Sequence, residues 1–186
     1  MKIVVAVTGA SGALYAHLLL KKLEGLSDQY ERVDLIFSDT ARPVWKFELP
    51  EIQTEQYPFK QYKADNFFAP MASGSAGYDK MIIIPCTMGT LARIAAGEAS
   101  DLMTRAADVM LKERGRLILV TRETPLSQIH LQNMLRVTQA GGIICPANPS
   151  FYKHPKSIEE LTGTVVNRVL KLTGFNIPDK GFMSGD

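Results

Sequence analysis

The sequence predicts an α/β fold: a three-layer sandwich with a mainly parallel central sheet. Two observations carry this. Three runs of apolar, mostly aliphatic residues (KIVVAVT at 2–8, KMIIIP at 80–85, RLILVT at 116–121) show no polar face, as strands covered on both sides must be. Between them lie segments whose apolar residues recur at helical spacing, so strands and helices alternate as in βαβ units.

In chain order, the strand 2–8 runs through Gly9-Ala10-Ser11-Gly12 into a helix over 12–25, with Leu14, Leu18, Leu19 and Leu23 on one stripe. RVDLIF at 32–37 is the second strand, and Ser38 is well placed to cap a helix over 39–48 that stops before Pro50. Residues 50–79, with three prolines and the tract Ala72-Ser73-Gly74-Ser75-Ala76-Gly77, read as a loop with at most one short strand. After the strand 80–85 come helices over 87–97 and 99–113. The strand 116–121 leads to a helix over 126–139, a strand at 143–145, a loop at 146–156 and a last helix, capped by Ser157, to 173. One domain over 1–174 is expected, with a tail over 175–186 that leaves it.

Composition excludes several classes. A hydrophobic fraction of 46% with 22% charged residues is that of a soluble globular chain. A net charge of +2 gives no reason to expect nucleic acid or a membrane surface. Cys86 and Cys145 have neither metal nor disulfide spacing and read as buried thiols in a reducing cytosol. No apolar run approaches the ~20 residues of a membrane span, and the chain enters a strand at once, so neither an anchor nor a cleaved leader is expected. A cytoplasmic location follows. The three histidines, His17, His130 and His154, lack metal spacing and read as surface or capping residues; no metal site is expected.

In open α/β sheets ligands bind beyond the carboxyl ends of the strands, so the residues that follow each strand are the candidates. Gly9-Ala10-Ser11-Gly12 either takes an anion on backbone N–H groups at a helix start or is a tight structural turn. It has neither the dinucleotide pattern nor a Walker lysine. Cys86-Thr87-Met88-Gly89-Thr90 is a second small-polar turn opening a helix: an anion cradle or a plain cap. Arg122-Glu123 follows a buried strand, either as a surface ion pair or as a phosphate-binding arginine beside an acid/base carboxylate. Arg105 and Lys112, seven apart, share a helix face, either as ordinary solvated charges or as part of a site.

Taken together these segments resemble the flavin prenyltransferases of the UbiX type. The matching residues are Thr8-Gly9-Ala10-Ser11-Gly12-Ala13, Ser38 with Ala41, Val44 and Glu48, Ala72-Ser73-Gly74-Ser75, and Pro85 to Ala92. Arg105 to Val109 with Lys112, Arg122-Glu123-Thr124-Pro125-Leu126 with His130 and Asn133, and Pro149 with Phe151-Tyr152 complete the set, from about residue 2 to 174. The resemblance implies a Rossmann-like (flavodoxin-like) domain that joins the dimethylallyl group of dimethylallyl phosphate to reduced FMN, at flavin N5 and C6. It implies no metal, a product used by a UbiD-type decarboxylase, and a homo-oligomer, a dodecamer, whose sites are built from neighbouring subunits.

Residue by residue, the resemblance places Gly9, Ala10, Ser11, Ser38, Thr87, Met88, Gly89, Thr90 and Arg122 against FMN. It places Lys112, Arg122, Tyr152 and Arg168 at the dimethylallyl phosphate, with Arg105 in the same polar network. Ser11, Glu48 and Glu123 are the implied catalytic groups. The alternatives are an FMN-dependent cysteine-type decarboxylase and a non-catalytic FMN-binding protein. Against the first stands the loop Pro85 to Thr90 with Arg122 to Leu126. Against the second stand Glu48, Lys112, Glu123, Tyr152 and Arg168, since FMN binding alone would not need a second phosphate site.

Overall fold

The computed structural model describes residues 1–178. The strands are β1 (Lys2–Val7), β2 (Arg32–Phe37), β3 (Lys60–Tyr62), β4 (Lys80–Cys86), β5 (Arg116–Thr121) and β6 (Ile143–Ile144). They form one parallel sheet in the order β3-β2-β1-β4-β5-β6. The helices are α1 (Ala13–Glu24), α2 (Ala41–Glu48), α3 (Met88–Ala95), α4 (Leu102–Lys112), α5 (Gln128–Gln139) and α6 (Ile158–Thr173). Leaving out the three-residue edge strand β3, the order is the flavodoxin-like 2-1-3-4-5, with its switch point between β1 and β4.

The two-sided burial of the strands explains their apolar runs. Along β1, Ile3, Val5 and Val7 pack under α1 and α6, while Val4 and Ala6 pack under α3 and α4. Each of these valines and the isoleucine, fully buried, contributes about 1.5–3 kcal/mol. Pro85 sits inside central strand β4, where a residue without an N–H is poorly suited; the β4–β5 register shifts there, between Ile83 and Cys86. The pairing of β6 continues through Cys145 N–H to Leu119 C=O at 2.9 Å and stops at Pro146, which has no donor.

Three expectations need correction. Ser38 does not cap α2: the helix starts at Ala41, the Ser38 carbonyl accepts from Ala41 N–H at 3.0 Å, and the Ser38 hydroxyl meets that of Thr40 at 3.2 Å. The chain does not leave the domain at 175, because Phe175 is buried edge-on to Tyr30 and Asn176 exchanges two hydrogen bonds with Gln29, at 2.9 and 3.1 Å. The remainder of the expected tail, 179–186, lies outside the described residues. His17 is neither surface nor cap. It is buried among Trp45 and Tyr57, with Nδ1 2.6 Å from the Tyr57 hydroxyl. Ser157 and Thr87 do cap their helices, and His130 completes a capping box with Ser127.

Burial pushes the Tyr57 phenol up to about 12, so it keeps its proton at neutral pH. Burial, and then Lys21, lowers the His17 pKa from 6.5. The unfolded chain therefore takes up a proton that the folded chain refuses. Stability is full above the unfolded value of 6.5 and is lost as pH falls towards the folded one. Urea midpoints should fall between pH 7.5 and 5.5, and a His17→Phe variant should be flatter across this window, which runs from roughly one pH unit above the imidazole pKa to one below.

A second buried polar group lies on β2. Asp34 is fully buried, accepting from the Tyr78 hydroxyl and from Arg32 Nε at 2.6 Å; its Oδ1 has no partner among the described residues. Removing another donor from an already under-paired carboxylate is costly. Tyr78→Phe should lower stability by about 1–3 kcal/mol, read as a urea midpoint shift at unchanged m-value.

Candidate active site

The in-phase pairing of β1 with β2 ends at Val7 and Phe37, which sets Thr8 beside Ser38; Ser38 N–H donates to Val7 C=O at 3.0 Å. Across the switch point, Thr8 N–H and hydroxyl both donate to Pro85 C=O, at 3.3 and 2.6 Å. The same hydroxyl accepts from Thr87 N–H at 2.9 Å. One threonine thus stitches the turns after β1 and β4, and holds open the crevice above them. Gly9 abuts the Thr40 side chain, where a Cβ would overlap it, so the turn after β2 joins the same cluster. Gly12 has φ 115°, in the left-handed region that favours glycine.

The glycine turn already holds an anion. Glu48, at the end of α2, accepts from Gly12 N–H at 2.9 Å and Ala13 N–H at 2.7 Å, both on Oε2. Since Gly12 supplies no side-chain cap, this carboxylate caps α1 and meets the positive end of its dipole. Burial works to raise the Glu48 pKa. The Ser11 hydroxyl, the two backbone N–H groups and the charge of Arg122 outweigh it and hold the group below 4.5. Glu48 is therefore ionised at neutral pH. The N–H groups expected to face a ligand phosphate at Gly12 and Ala13 are already paired.

The turn after β4 remains free to meet a ligand. Thr87 caps α3, its hydroxyl accepting from Thr90 N–H at 3.2 Å. A Cβ on exposed Gly89 would meet nothing within 4 Å, so the start of α3 opens onto space. Beyond β5, Arg122 and Glu123 form no ion pair with each other among the described residues. Glu123 is exposed and accepts from Thr124 N–H at 3.0 Å. The Nε of Arg122 is buried without a partner among the described residues, while its charge reaches both Glu48 and Tyr15. Arg122 and Glu123 line a cavity of about 300 Å³ with Thr124, Leu126, Met134 and Ala147. A second cavity, of about 430 Å³, opens beside Ser38 between the turns after β2 and β3. An under-paired guanidinium lining a cavity suits an anionic ligand such as a phosphate.

One chain gathers Gly9 to Gly12, Ser38, Glu48, Thr87 to Thr90, Arg122 and Glu123 at the carboxyl edge of the sheet. It does not bring Lys112 there. This last residue of α4 lies at the opposite edge: Lys112 is paired with Glu113, which lines a cavity with Tyr78, Asp79 and Arg116 at the strand starts. Arg105, on the same helix, is held by Ala72 C=O at 3.0 Å and Asp108 at 2.5 Å. Arg168 is exposed on α6 within electrostatic reach of Cys145, and Tyr152 is exposed in the loop before that helix. Sequence reasoning missed Tyr15 and the stitch made by Thr8. Thr8 had one visible signal, a polar residue closing an apolar strand.

Comparison with known proteins decides the family. The Flavoprotein family model matches residues 1–170. Flavin prenyltransferase UbiX of Methanothermobacter thermautotrophicus is 45% identical over 174 residues, covering 92% of this chain and 90% of the relative. The chain belongs to the UbiX-type flavin prenyltransferases. Family structures agree. AnUbiX, solved with FMN and dimethylallyl pyrophosphate, superposes with a TM-score of 0.87 at 42% identity, over 97% of this chain and 98% of that one. The dodecameric FMN-dependent UbiX-like decarboxylase from Escherichia coli O157:H7 gives 0.90 at 38%, over 98% and 100%. This chain is thus a prenyltransferase and a flavoprotein that binds FMN, with the flavodoxin-like fold of its relatives. Among the described residues no helix is long and apolar enough to cross a membrane.

Proposed function

We propose that this enzyme transfers the dimethylallyl group of dimethylallyl phosphate to reduced FMN, bonding at N5 and C6, and that the prenylated FMN serves a UbiD-type decarboxylase. The observation that carries the donor assignment is Arg122, whose buried Nε lacks a partner among the described residues beside a cavity that also presents Glu123. Flavin binding has its own support in the open start of α3 and the small turns after β1 and β2. Reduced flavin supplies the electron-rich nucleophile. The protein supplies placement and charge.

In this reading the allylic C–O bond breaks and its electron pair leaves with the phosphate. Arg122 stabilises the charge that builds on the leaving oxygen, without help from a metal. Glu123 hands a proton to the phosphate. Glu48, held ionised by Gly12, Ala13 and Ser11, suits the opposite role and takes up a proton released as the new bonds form. Ser11 relays it. Gly9, Ala10, Ser38, Thr87, Met88, Gly89, Thr90 and Arg122 line the flavin.

Lys112 and Arg105 enter the donor site from a neighbouring subunit, while Tyr152 and Arg168 join it from the chain's own loop after β6 and from α6. Two findings support this: Lys112 sits at the far edge of its own sheet, and α5 leaves Ile129, Leu131 and Leu135 more than half exposed, an apolar face suited to a second copy. The assembly is a homo-oligomer, a dodecamer as in the Escherichia coli relative, and it works in the cytoplasm.

The test is anaerobic. The protein is mixed with reduced FMN and dimethylallyl phosphate, and the released flavin is weighed by mass spectrometry. A gain of one C5H8 unit is expected. Unchanged FMN, with dimethylallyl pyrophosphate also tried, would sink the reading.

A further inference from the structure

We propose that Tyr15 is a positioning residue for the donor end of the site: it braces the loop after β6, which lines the Arg122 cavity at Ala147 and carries Tyr152, against the first turn of α1. The proposal rests on the prenyl-transfer reading given above. The Tyr15 hydroxyl donates to Ala147 C=O at 3.3 Å, tying α1 to that loop five residues before Tyr152. Its ring lies against Gly12, where a Cβ would stand 2.9 Å from a ring carbon, so the ring has a fixed seat on the glycine turn. Ala147 and Arg122 line the same cavity.

The choice of tyrosine has a physical reason. Burial raises the Tyr15 pKa more than the nearby Arg122 charge lowers it, so the group is a neutral phenol at neutral pH. A carboxylate in that seat would pair with Arg122 and compete with an incoming phosphate. A phenol braces the loop and leaves the guanidinium charge for the ligand. Glu48, the acidic group near Arg122 on the other side, is held by backbone N–H groups of its own.

Tyr15→Phe keeps the ring and removes the hydroxyl. The KM for dimethylallyl phosphate should rise about tenfold, near the worth of one hydrogen bond, with kcat changed less. FMN affinity, read by flavin fluorescence quenching, should fall by less than donor affinity, since the turns after β1, β2 and β4 also hold the flavin. Calorimetric titration of dimethylallyl phosphate into the complex with oxidised FMN should show the same loss, and inorganic phosphate a parallel one. In an Arg122→Ala background the Tyr15→Phe change should add little, since the cavity wall that the tyrosine braces holds the phosphate against that guanidinium. Wild-type donor affinity in Tyr15→Phe, with or without a lower melting temperature, overturns the proposal. So does a loss of equal size in the Arg122→Ala background. Should wild-type protein leave FMN unprenylated while phosphate binding still couples Tyr15 to Arg122, the reaction assignment fails and the brace stands.

Discussion

Glu123→Gln should lower the rate of prenyl transfer about 10²–10⁴-fold, the range spanned by single general-acid groups, while FMN binding is kept. The expectation follows from where Glu123 sits. It stands at the mouth of the cavity lined by Arg122, exposed, with no ion pair among the described residues to tie it down. Its contact to Thr124 N–H is local and survives in glutamine, so the fold has little to lose. Single-turnover flavin prenylation under anaerobic conditions checks it, beside a melting curve. Product at the normal rate would remove Glu123 from the chemistry. A slow variant rescued by a donor with a better leaving group would assign it to proton delivery to the departing phosphate.

Glu48→Ala should do two separable things. The rate of transfer should fall by a similar factor of about 10²–10⁴, through loss of the base. Stability should fall by about 1–2 kcal/mol, because the first N–H groups of α1 lose their cap and the dipole its anion. Glu48→Gln splits the two effects: its amide oxygen can still accept from Gly12 and Ala13, so most of the stability returns while the rate stays low. The pH dependence has a fixed sign. The folded pKa is depressed, so the stabilisation is present above the unfolded value of 4.5 and is lost as pH falls through the folded one. Urea midpoints for wild type and Glu48→Gln should therefore converge in acid. Persistent separation there would mean that the carboxylate charge is not what caps α1.

Much of the architecture was legible in the chain alone. The strands at 80–85 and 116–121 are apolar on both faces because helices cover both sides, and runs this short, bounded by turn residues, suit strands rather than helices. Helix starts were legible where a side chain does the capping, as at Thr87 and Ser157. The reading failed where the partner is remote in sequence. Ser38 looked like a cap, yet its N–H is drawn to Val7 C=O on the neighbouring strand, which holds it in the turn instead. His17 looked polar and outward, but Tyr57, forty residues on, offers it a buried partner at 2.6 Å.

The order of elements, the parallel sheet and the family could be read without any contact map, because periodicity and local motifs are properties of neighbours along the chain. So could the polar residues that end each strand. What those residues do to each other is settled in three dimensions. Glu48 and Gly12 are thirty-six positions apart, and nothing local says that the carboxylate fills the very turn that seemed to await a phosphate. Tyr15 and Ala147 meet across 132 positions. Lys112 belongs to the resemblance but folds to the far edge of the sheet. Contacts of that kind are set by strand order and register, which a one-dimensional pattern constrains only through the packing it permits.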